Sequence, residues 1–211
     1  MKEASQVFDI SPRVNPQLAV WPGDKGFERQ VALSFEGGDH LELSAMNTTV
    51  HLGAHADAPI HYHGDGSDIA SRDPRLYVGP AQVITVDVPR GERIRVEQVD
   101  LSAVTSPRVL LRTGTFPDPQ HFNEDFACLS PELIDALAKR GVKLIGIDTP
   151  SVDLFSDKEL LSHNAIYRHD MAILEGLVLN DVADGHYWLA AQPLALEGFD
   201  ASPVRALLIL F

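Results

Sequence analysis

The chain has 211 residues, of which 45% are hydrophobic and 22% charged, and its formal net charge at pH 7 is -13. This length and composition fit a single globular domain, predicted over residues 1–211. The acidic balance argues against nucleic-acid binding, and no apolar run approaches the length of about 20 residues that a membrane span needs.

The cellular compartment is predicted from the first residues and from the cysteine content. The opening segment MKEASQVFDI lacks the apolar region of a secretory signal, so a cytoplasmic protein is expected. The one cysteine, Cys128, cannot form an internal disulfide, which agrees with a reducing compartment. A lone thiol of this kind is expected in the core.

Strand patterns dominate the first half of the chain and return at its end. Apolar alternation and β-branched runs predict strands at 6–10, 27–35, 40–52, 81–88, 109–113, 143–148, 188–191 and 205–210. The second and third of these are separated by E-G-G-D, which predicts a turn and therefore a hairpin. Trp188, in the seventh strand, is expected in the core.

The clearest helix pattern begins at Ser130. This serine is a good N-cap, and Pro131 suits the first helical position because proline has no amide hydrogen. Gly141 can end the helix. With its flanking strands it forms a strand–helix–strand unit at 109–148, and a second helix is predicted at 159–168. The chain is therefore predicted to be a mixed α/β domain.

Four histidines and two aspartates lie within V-H-L-G-A-H-A-D-A-P-I-H-Y-H-G-D-G, residues 50–66. His51, His55 and Asp57 have the spacing H-x3-H-x-D, and their side chains are standard donors for zinc and related divalent ions. The glycine and proline in this run argue against a helix, so a turn leaving a strand must bring the donors together. Asp57 has two oxygens and could bridge two ions, as hydrolytic sites often require.

The spacing alone leaves the other donors open. Candidates occur later in the chain: His163, His169, Asp170 and Glu175. Asp148 and Asp153 flank T-P-S-V at the end of a predicted strand, a position that often lines a cleft in α/β domains. Both are candidates for a supporting role beside the site.

The run H-L-G-A-H-A-D-A-P-I-H, residues 51–61, resembles the signature H-x-G-T-H-x-D-x-P-x-H of the cyclase-type metal-dependent hydrolases. The segments D-I-S-P…V-W-P-G-D at 9–24 and G-I-D-T-P-S-V-D at 146–153 resemble other parts of that family. The resemblance therefore covers nearly the whole chain, and it looks closest to the bacterial kynurenine formamidases (arylformamidases). Ala54 departs from the signature, where threonine is usual; this removes a hydroxyl but no metal ligand.

The resemblance implies a cyclase-like α/β domain of the swivelling β/β/α type, a homodimer, and two divalent metal ions per chain. His51, His55 and Asp57 would hold one ion. Asp57 would bridge to the second, which His163 and Glu175 would complete. Zinc is the expected ion, and the same donors accept manganese.

The resemblance also implies the residues that meet the substrate. His61 would be the proton donor and acceptor, a role that suits an imidazole with an unperturbed pKa of about 6.5. Trp21, placed in a turn by Pro22 and Gly23, would stack on the aryl ring of the substrate.

Together these expectations describe hydrolysis of N-formyl-L-kynurenine to L-kynurenine and formate in tryptophan degradation. The metal would lower the pKa of a water and polarise the carbonyl, while His61 would protonate the leaving amine. A relative that opens a cyclic imide or an isatin-like lactam would use the same chemistry, so the motif does not separate the two. A non-catalytic metal-binding protein is the alternative of another class. It would leave His61 without a use, and structural zinc sites usually rely on cysteine.

Overall fold

The computed structural model describes residues 3–211 and has a mixed α/β fold, as predicted. Thirteen strands occur in the described residues: β1 Gln6–Asp9, β2 Glu28–Leu33, β3 Leu43–Asn47, β4 His55–Asp57, β5 Val78–Thr85, β6 Arg93–Ile94, β7 Arg108–Arg112, β8 Cys128–Leu129, β9 Leu144–Ile147, β10 Ala172–Leu174, β11 Gly185–Ala190, β12 Ala201–Pro203 and β13 Leu207–Leu210. The two α-helices are α1 Pro131–Lys139 and α2 Leu161–Arg168. No helix within residues 3–211 combines the length and the apolarity that a bilayer span requires.

Seven strands form the central sheet in the order β1-β13-β11-β5-β7-β9-β10. The half from β5 to β10 is parallel, whereas β1, β13, β11 and β5 pair antiparallel. Parallel neighbours need a crossover, and α1 supplies it between β7 and β9. The strand–helix–strand unit predicted at 109–148 is thus confirmed.

The sheet separates two apolar cores. One face of β7, β9 and β10 packs on α1 and α2 through residues such as Leu111, Ile145 and Ile166. The opposite face packs under β4 and the loops around it, with Leu110 and Leu208 among its members. Both faces of the parallel strands are therefore buried, which explains why these strands read as continuous apolar runs.

Helix α1 begins and ends as its sequence predicts. The Ser130 side chain accepts a hydrogen bond from the Leu133 amide, Pro131 occupies the first turn, and Gly141 has a φ of +86°. That left-handed conformation favours glycine, so the chain can turn directly into β9.

Five short strands were not predicted, among them β6 and β8 with two residues each, and one burial prediction was wrong. Strands β4, β10 and β12 have only three residues each, too few to show a period of two. Trp188 does lie in a strand, but it is 41% exposed because its side chain points from a face of the sheet that the helices leave bare. Cys128 is fully buried, as expected.

Candidate functional site

The candidate site lies beyond the carboxyl ends of the parallel strands. Asp148 directly follows β9 and Glu175 directly follows β10. The segment that carries the histidine motif crosses above these ends as β4, which pairs with β12. This is the edge where open α/β sheets usually bind ligands.

The backbone joins the two halves of the predicted ligand set directly. The His55 amide donates to the Glu175 carbonyl at 3.1 Å, and the Glu175 amide donates to the His55 carbonyl at 3.0 Å. Beside this bridge two segments of the backbone cross at Gly53 and Gly176, whose φ angles are +56° and +64°. A Cβ atom on Gly176 would collide with the carbonyl oxygen of Gly53, so the crossing requires glycine. The close neighbour of Gly53 in the structure is thus this second segment of backbone.

A hydrogen bond from Nδ1, the ring nitrogen that points away from Asp57, orients His55. Its Nδ1 donates to the Gly53 carbonyl at 2.8 Å, so Nε2 carries the lone pair. That Nε2 lies 3.4 Å from Asp57 Oδ1 and 3.3 Å from Glu175 Oε2. The second oxygen of Glu175 accepts from the Val152 amide at 2.7 Å, which fixes the carboxylate.

His163 is oriented in the same way by Asp153. Its Nδ1 donates to Asp153 Oδ2 at 2.8 Å, and its Nε2 points towards Asp57 Oδ2 at 3.3 Å. The same aspartate accepts from the amides of Ser162 and His163, and Arg93 donates to it at 2.8 Å. Asp153 therefore fixes both the start of α2 and the ring that α2 carries, which is the kind of supporting role expected for it.

Asp57 lies at the centre of these donors and is almost completely buried. His51 Nδ1 approaches its Oδ1 at 3.1 Å, on the opposite side from His163. Four contacts between predicted ligand atoms measure 3.1–3.4 Å, and His163 Nε2 lies 3.7 Å from Glu175 Oε1. Donors of a tetrahedral zinc ion with bonds of 2.0–2.1 Å lie about 3.3 Å apart.

Unsatisfied polar atoms indicate that this cluster suits a cation. Within residues 3–211, His55 Nε2 and Asp57 Oδ1 are among four buried side-chain atoms that lack a hydrogen-bond partner. Such atoms are rare in folded proteins because leaving them unpaired is costly. Since both are metal-donor types and face one another, the residues present fit a bound divalent ion.

Distances sort the donors of residues 3–211 into two groups that share Asp57. His51, Asp57 and His61 form one group and His55, Asp57 and Glu175 form the other, with all ligand atoms of a group within 4.8 Å of one another. This grouping differs from the expected one, which pairs His51 with His55 and gives His61 no ligand role. Membership of Asp57 in both groups is the arrangement that a bridging carboxylate needs.

The buried carboxylates and imidazoles of the cluster shift one another's pKa values. Burial alone would lower the pKa of His51, but the nearby carboxylates of Asp57 and Asp200 outweigh burial and raise that pKa to about 9. For His163 burial is likewise outweighed, chiefly by hydrogen bonds to Asp153 and Asp57, and the pKa rises to about 10. Burial would raise the pKa of Asp57, yet the neighbouring imidazoles hold it well below its usual range.

His61 lies at the edge of the cluster, on a short 3-10 helix at Pro59–His61, and its side chain is 35% exposed. Its ring centroid is 4.2 Å from that of His51. Its Nδ1 lies 3.3 Å from Asp200 Oδ2, and the same oxygen lies 2.9 Å from His51 Nε2. Asp200 carries no signal in the sequence, since it stands far from the motif in the chain and only the pairing of β12 with β4 brings it there.

A cavity of about 380 Å³ opens beside the histidines. His51, His55, His61, His163 and Glu175 line one side of it. The other side is apolar and aromatic, and its rings include Trp21, Phe116, Phe122 and Phe155.

Trp21 is half-buried in a turn within this aromatic wall. Its ring centroid lies 4.9 Å from that of Phe155 and 5.5 Å from that of Phe122. The wall suits a flat aromatic ligand held next to the polar cluster. Its phenylalanines carry no motif in the sequence, so only the folded chain identifies them.

Several candidates lie outside the cluster. His169 pairs with Asp135, and Asp170 pairs with Arg72 while staying exposed, so the structure does not bring either to the other donors. His63 stacks on Tyr167 with centroids 3.8 Å apart.

Two further positions have structural partners. Asp148 lines the cavity, but its carboxylate accepts from the amides of Thr113 and Gly114, which ties two strand ends together. Ala54 is buried in the apolar core beneath β4, where its methyl group packs.

Comparisons with known proteins converge on one family. The family named Cyclase, described as putative cyclase, matches residues 8–154. The kynurenine formamidase of Bacillus cytotoxicus is 40% identical over 207 residues, which cover 98% of each chain. The kynurenine formamidase of Maricaulis maris is 41% identical over 205 residues, covering 97% of this chain and 98% of that protein.

Solved structures share the fold. One, described as a potential metal-dependent hydrolase with cyclase activity, superposes with a TM-score of 0.84 at 25% identity and covers 97% of both chains. An isatin hydrolase bound to thioisatinate superposes with a TM-score of 0.82 at 19% identity, covering 97% of this chain and 92% of that one.

Proposed function

This chain belongs to the Cyclase family, and we propose that it hydrolyses N-formyl-L-kynurenine to L-kynurenine and formate, a step of tryptophan degradation. The observation that carries the proposal is identity of about 40% to kynurenine formamidases over nearly the full length of both chains. In this reaction the water oxygen bonds to the formyl carbon, the carbon–nitrogen bond breaks, and the arylamine nitrogen takes a proton.

We propose two divalent metal ions, with zinc as the expected ion and manganese acceptable to the same donors. His51, His55 and Asp57 would hold one, and His163 and Glu175 would complete the second with Asp57 as the bridge. When bound, such ions polarise a carbonyl and lower the pKa of a water. The unpaired His55 Nε2 and Asp57 Oδ1 support this assignment.

The chain's own residues would then orient the substrate and move the proton. His61 is exposed enough to reach a ligand in the cavity and would protonate the leaving amine. Trp21 would stack on the aryl ring, supported by the phenylalanines around it. The apolar wall would keep bulk water away from the reacting amide.

We also propose a homodimer in the cytoplasm. Helices cover β7, β9 and β10, but within residues 3–211 no helix covers the same face of β1, β13 and β11. There Val7, Ile209 and Trp188 stand side by side in register, and the first and last of these are 53% and 41% exposed. An uncharged apolar row on a chain with net charge -13 is a surface where two identical copies can meet without charge repulsion.

Substrate choice can be tested by assaying formate release from N-formyl-L-kynurenine and ring opening of isatin and cyclic imides by the metal-loaded protein. We expect the highest kcat/KM with the formamide and loss of turnover after chelation. The isatin hydrolase with the same fold makes the cyclic substrates the appropriate competitors. A higher kcat/KM with a cyclic substrate would replace the proposed substrate and leave the reaction class intact.

A further inference from the structure

Asp200 stands directly before β12, which pairs with the motif strand β4. Its carbonyl accepts from the Ala58 amide at 2.8 Å, in the residue that precedes the short helix of His61. The hydrogen bond to Ala58 and the pairing of β12 with β4 thus hold this aspartate at a fixed distance from the histidine motif.

One oxygen of Asp200 serves two imidazoles. Oδ2 lies 2.9 Å from His51 Nε2 and 3.3 Å from His61 Nδ1. A carboxylate oxygen only accepts hydrogen bonds, so each ring must direct an N–H at it. His51 is then left with Nδ1 facing Asp57, and His61 is left with Nε2 for any partner in the cavity.

The position of Asp200 separates its role from that of the rings. Among the described residues that line the cavity, both His51 and His61 occur, but Asp200 does not. The carboxylate therefore contacts the two rings from outside the cavity. Its side chain is 45% exposed, so it contributes little to the packing of the core.

We infer that Asp200 is a positioning residue, which fixes the tautomer and the ring orientation of His61 so that Nε2 faces the substrate. This inference rests on the proposed function, in which His61 moves the proton. Because the same oxygen holds His51, Asp200 also keeps the proton-transfer ring in fixed register with a proposed metal ligand. Groups that play this part behind a histidine typically change activity or metal affinity by about 10- to 100-fold when removed.

The test compares Asp200→Asn with Glu197→Gln, a matched control that removes the same charge from an exposed side chain three residues away. For Asp200→Asn at saturating zinc we expect kcat to fall about 10- to 100-fold while KM and metal content stay within about twofold of the parent. In the parent, ¹⁵N NMR of the His61 ring should show protonated Nδ1. In Asp200→Asn, the other tautomer should appear.

Two outcomes would overturn the inference. One is an unchanged His61 tautomer with unchanged kcat. The other is a loss of activity that vanishes when kcat is expressed per bound metal. That result would mean that Asp200 supports only the proposed ligand His51 and does not orient His61. If the parent releases no formate from N-formyl-L-kynurenine, the proposed function fails by itself, whereas the NMR comparison still decides whether Asp200 sets the tautomer.

Discussion

Each imidazole that faces Asp57 is held by an acceptor on its other nitrogen. His55 donates to a backbone carbonyl, His163 to Asp153 and His51 to Asp200. Ligand histidines in metal sites are usually braced in this way, because the second hydrogen bond fixes both the tautomer and the ring plane. The tautomers and ring orientations of these histidines therefore depend on the acceptors behind them.

Replacement of His61 by alanine should separate proton transfer from metal binding. We expect His61→Ala to keep up to two divalent ions per chain but to lose about 10²- to 10⁴-fold in kcat, the usual worth of a general acid or base. His63→Ala is the matched control, since that ring stacks on Tyr167 and contacts none of the proposed ligands. Full turnover in His61→Ala would remove this residue from the mechanism, and loss of metal would make it a ligand, as its grouping with His51 and Asp57 allows.

Metal binding near pH 7 should release protons from the site. The metal-free pKa values of His51 and His163 are raised to about 9 and about 10, so both rings are protonated at pH 7 and an entering cation must displace those protons. Affinity for zinc should therefore increase as pH rises towards 9. Because the folded pKa values exceed the unfolded ones, the ion pairs stabilise the metal-free fold fully below about pH 6.5 and lose that effect as pH rises through 9 to 10.

Titration calorimetry in buffers with different ionisation enthalpies measures this release. A zinc affinity that is the same at pH 6 and pH 8, with no proton release, would contradict the assignment of these two rings as ligands.

At the scale of elements, Asp153 couples a helix start to a side chain of the site. It accepts from the Ser162 and His163 amides at the beginning of α2 and from the His163 ring. Helix α2 has no capping side chain of its own, and Leu160 precedes it in a left-handed conformation. A carboxylate from the preceding loop therefore takes the place of an N-cap residue.

Asp153→Asn should consequently lose stability and metal affinity together. We expect about 1–3 kcal/mol of destabilisation, measured by thermal unfolding, and about 10- to 100-fold weaker zinc binding. Asp157→Asn is the matched control because Asp157 also accepts amide hydrogens before α2 and pairs with Arg93, but does not touch His163. Equal losses of zinc affinity in the two variants would show that the helix, and not the ring, is what Asp153 supports.

Sequence patterns predicted the elements that are long enough to show a period or a cap. Helix α1 was predicted from Ser130 to Gly141 because its ends are coded locally. Strands β4 and β10 were not predicted because three residues show no alternation. Yet β4 carries His55 and Asp57, and Glu175 directly follows β10. The donor residues could be named from their spacing and resemblance. Asp200 and the phenylalanine wall could not, because long-range pairing alone brings them to the site.

At the scale of the whole molecule, the bare face of the sheet should govern assembly. Trp188→Glu places a charge in the row it forms with Val7 and Ile209, and should convert the proposed dimer to a monomer in analytical ultracentrifugation. Leu161→Glu is the matched control, since that side chain is 42% exposed, at the start of α2. A parent protein that sediments as a monomer would contradict the proposed dimer, and a dimer that survives Trp188→Glu would move the interface elsewhere.

The backbone bridge between His55 and Glu175 has a consequence for the thermodynamics of the site. Two proposed ligands from distant parts of the chain are already paired through their amides and carbonyls before any ion arrives. Ordering these residues lowers conformational entropy, and that loss accompanies folding. These donors are therefore ordered before an ion binds. Binding of the ion then loses little further conformational entropy of the chain, which favours high affinity.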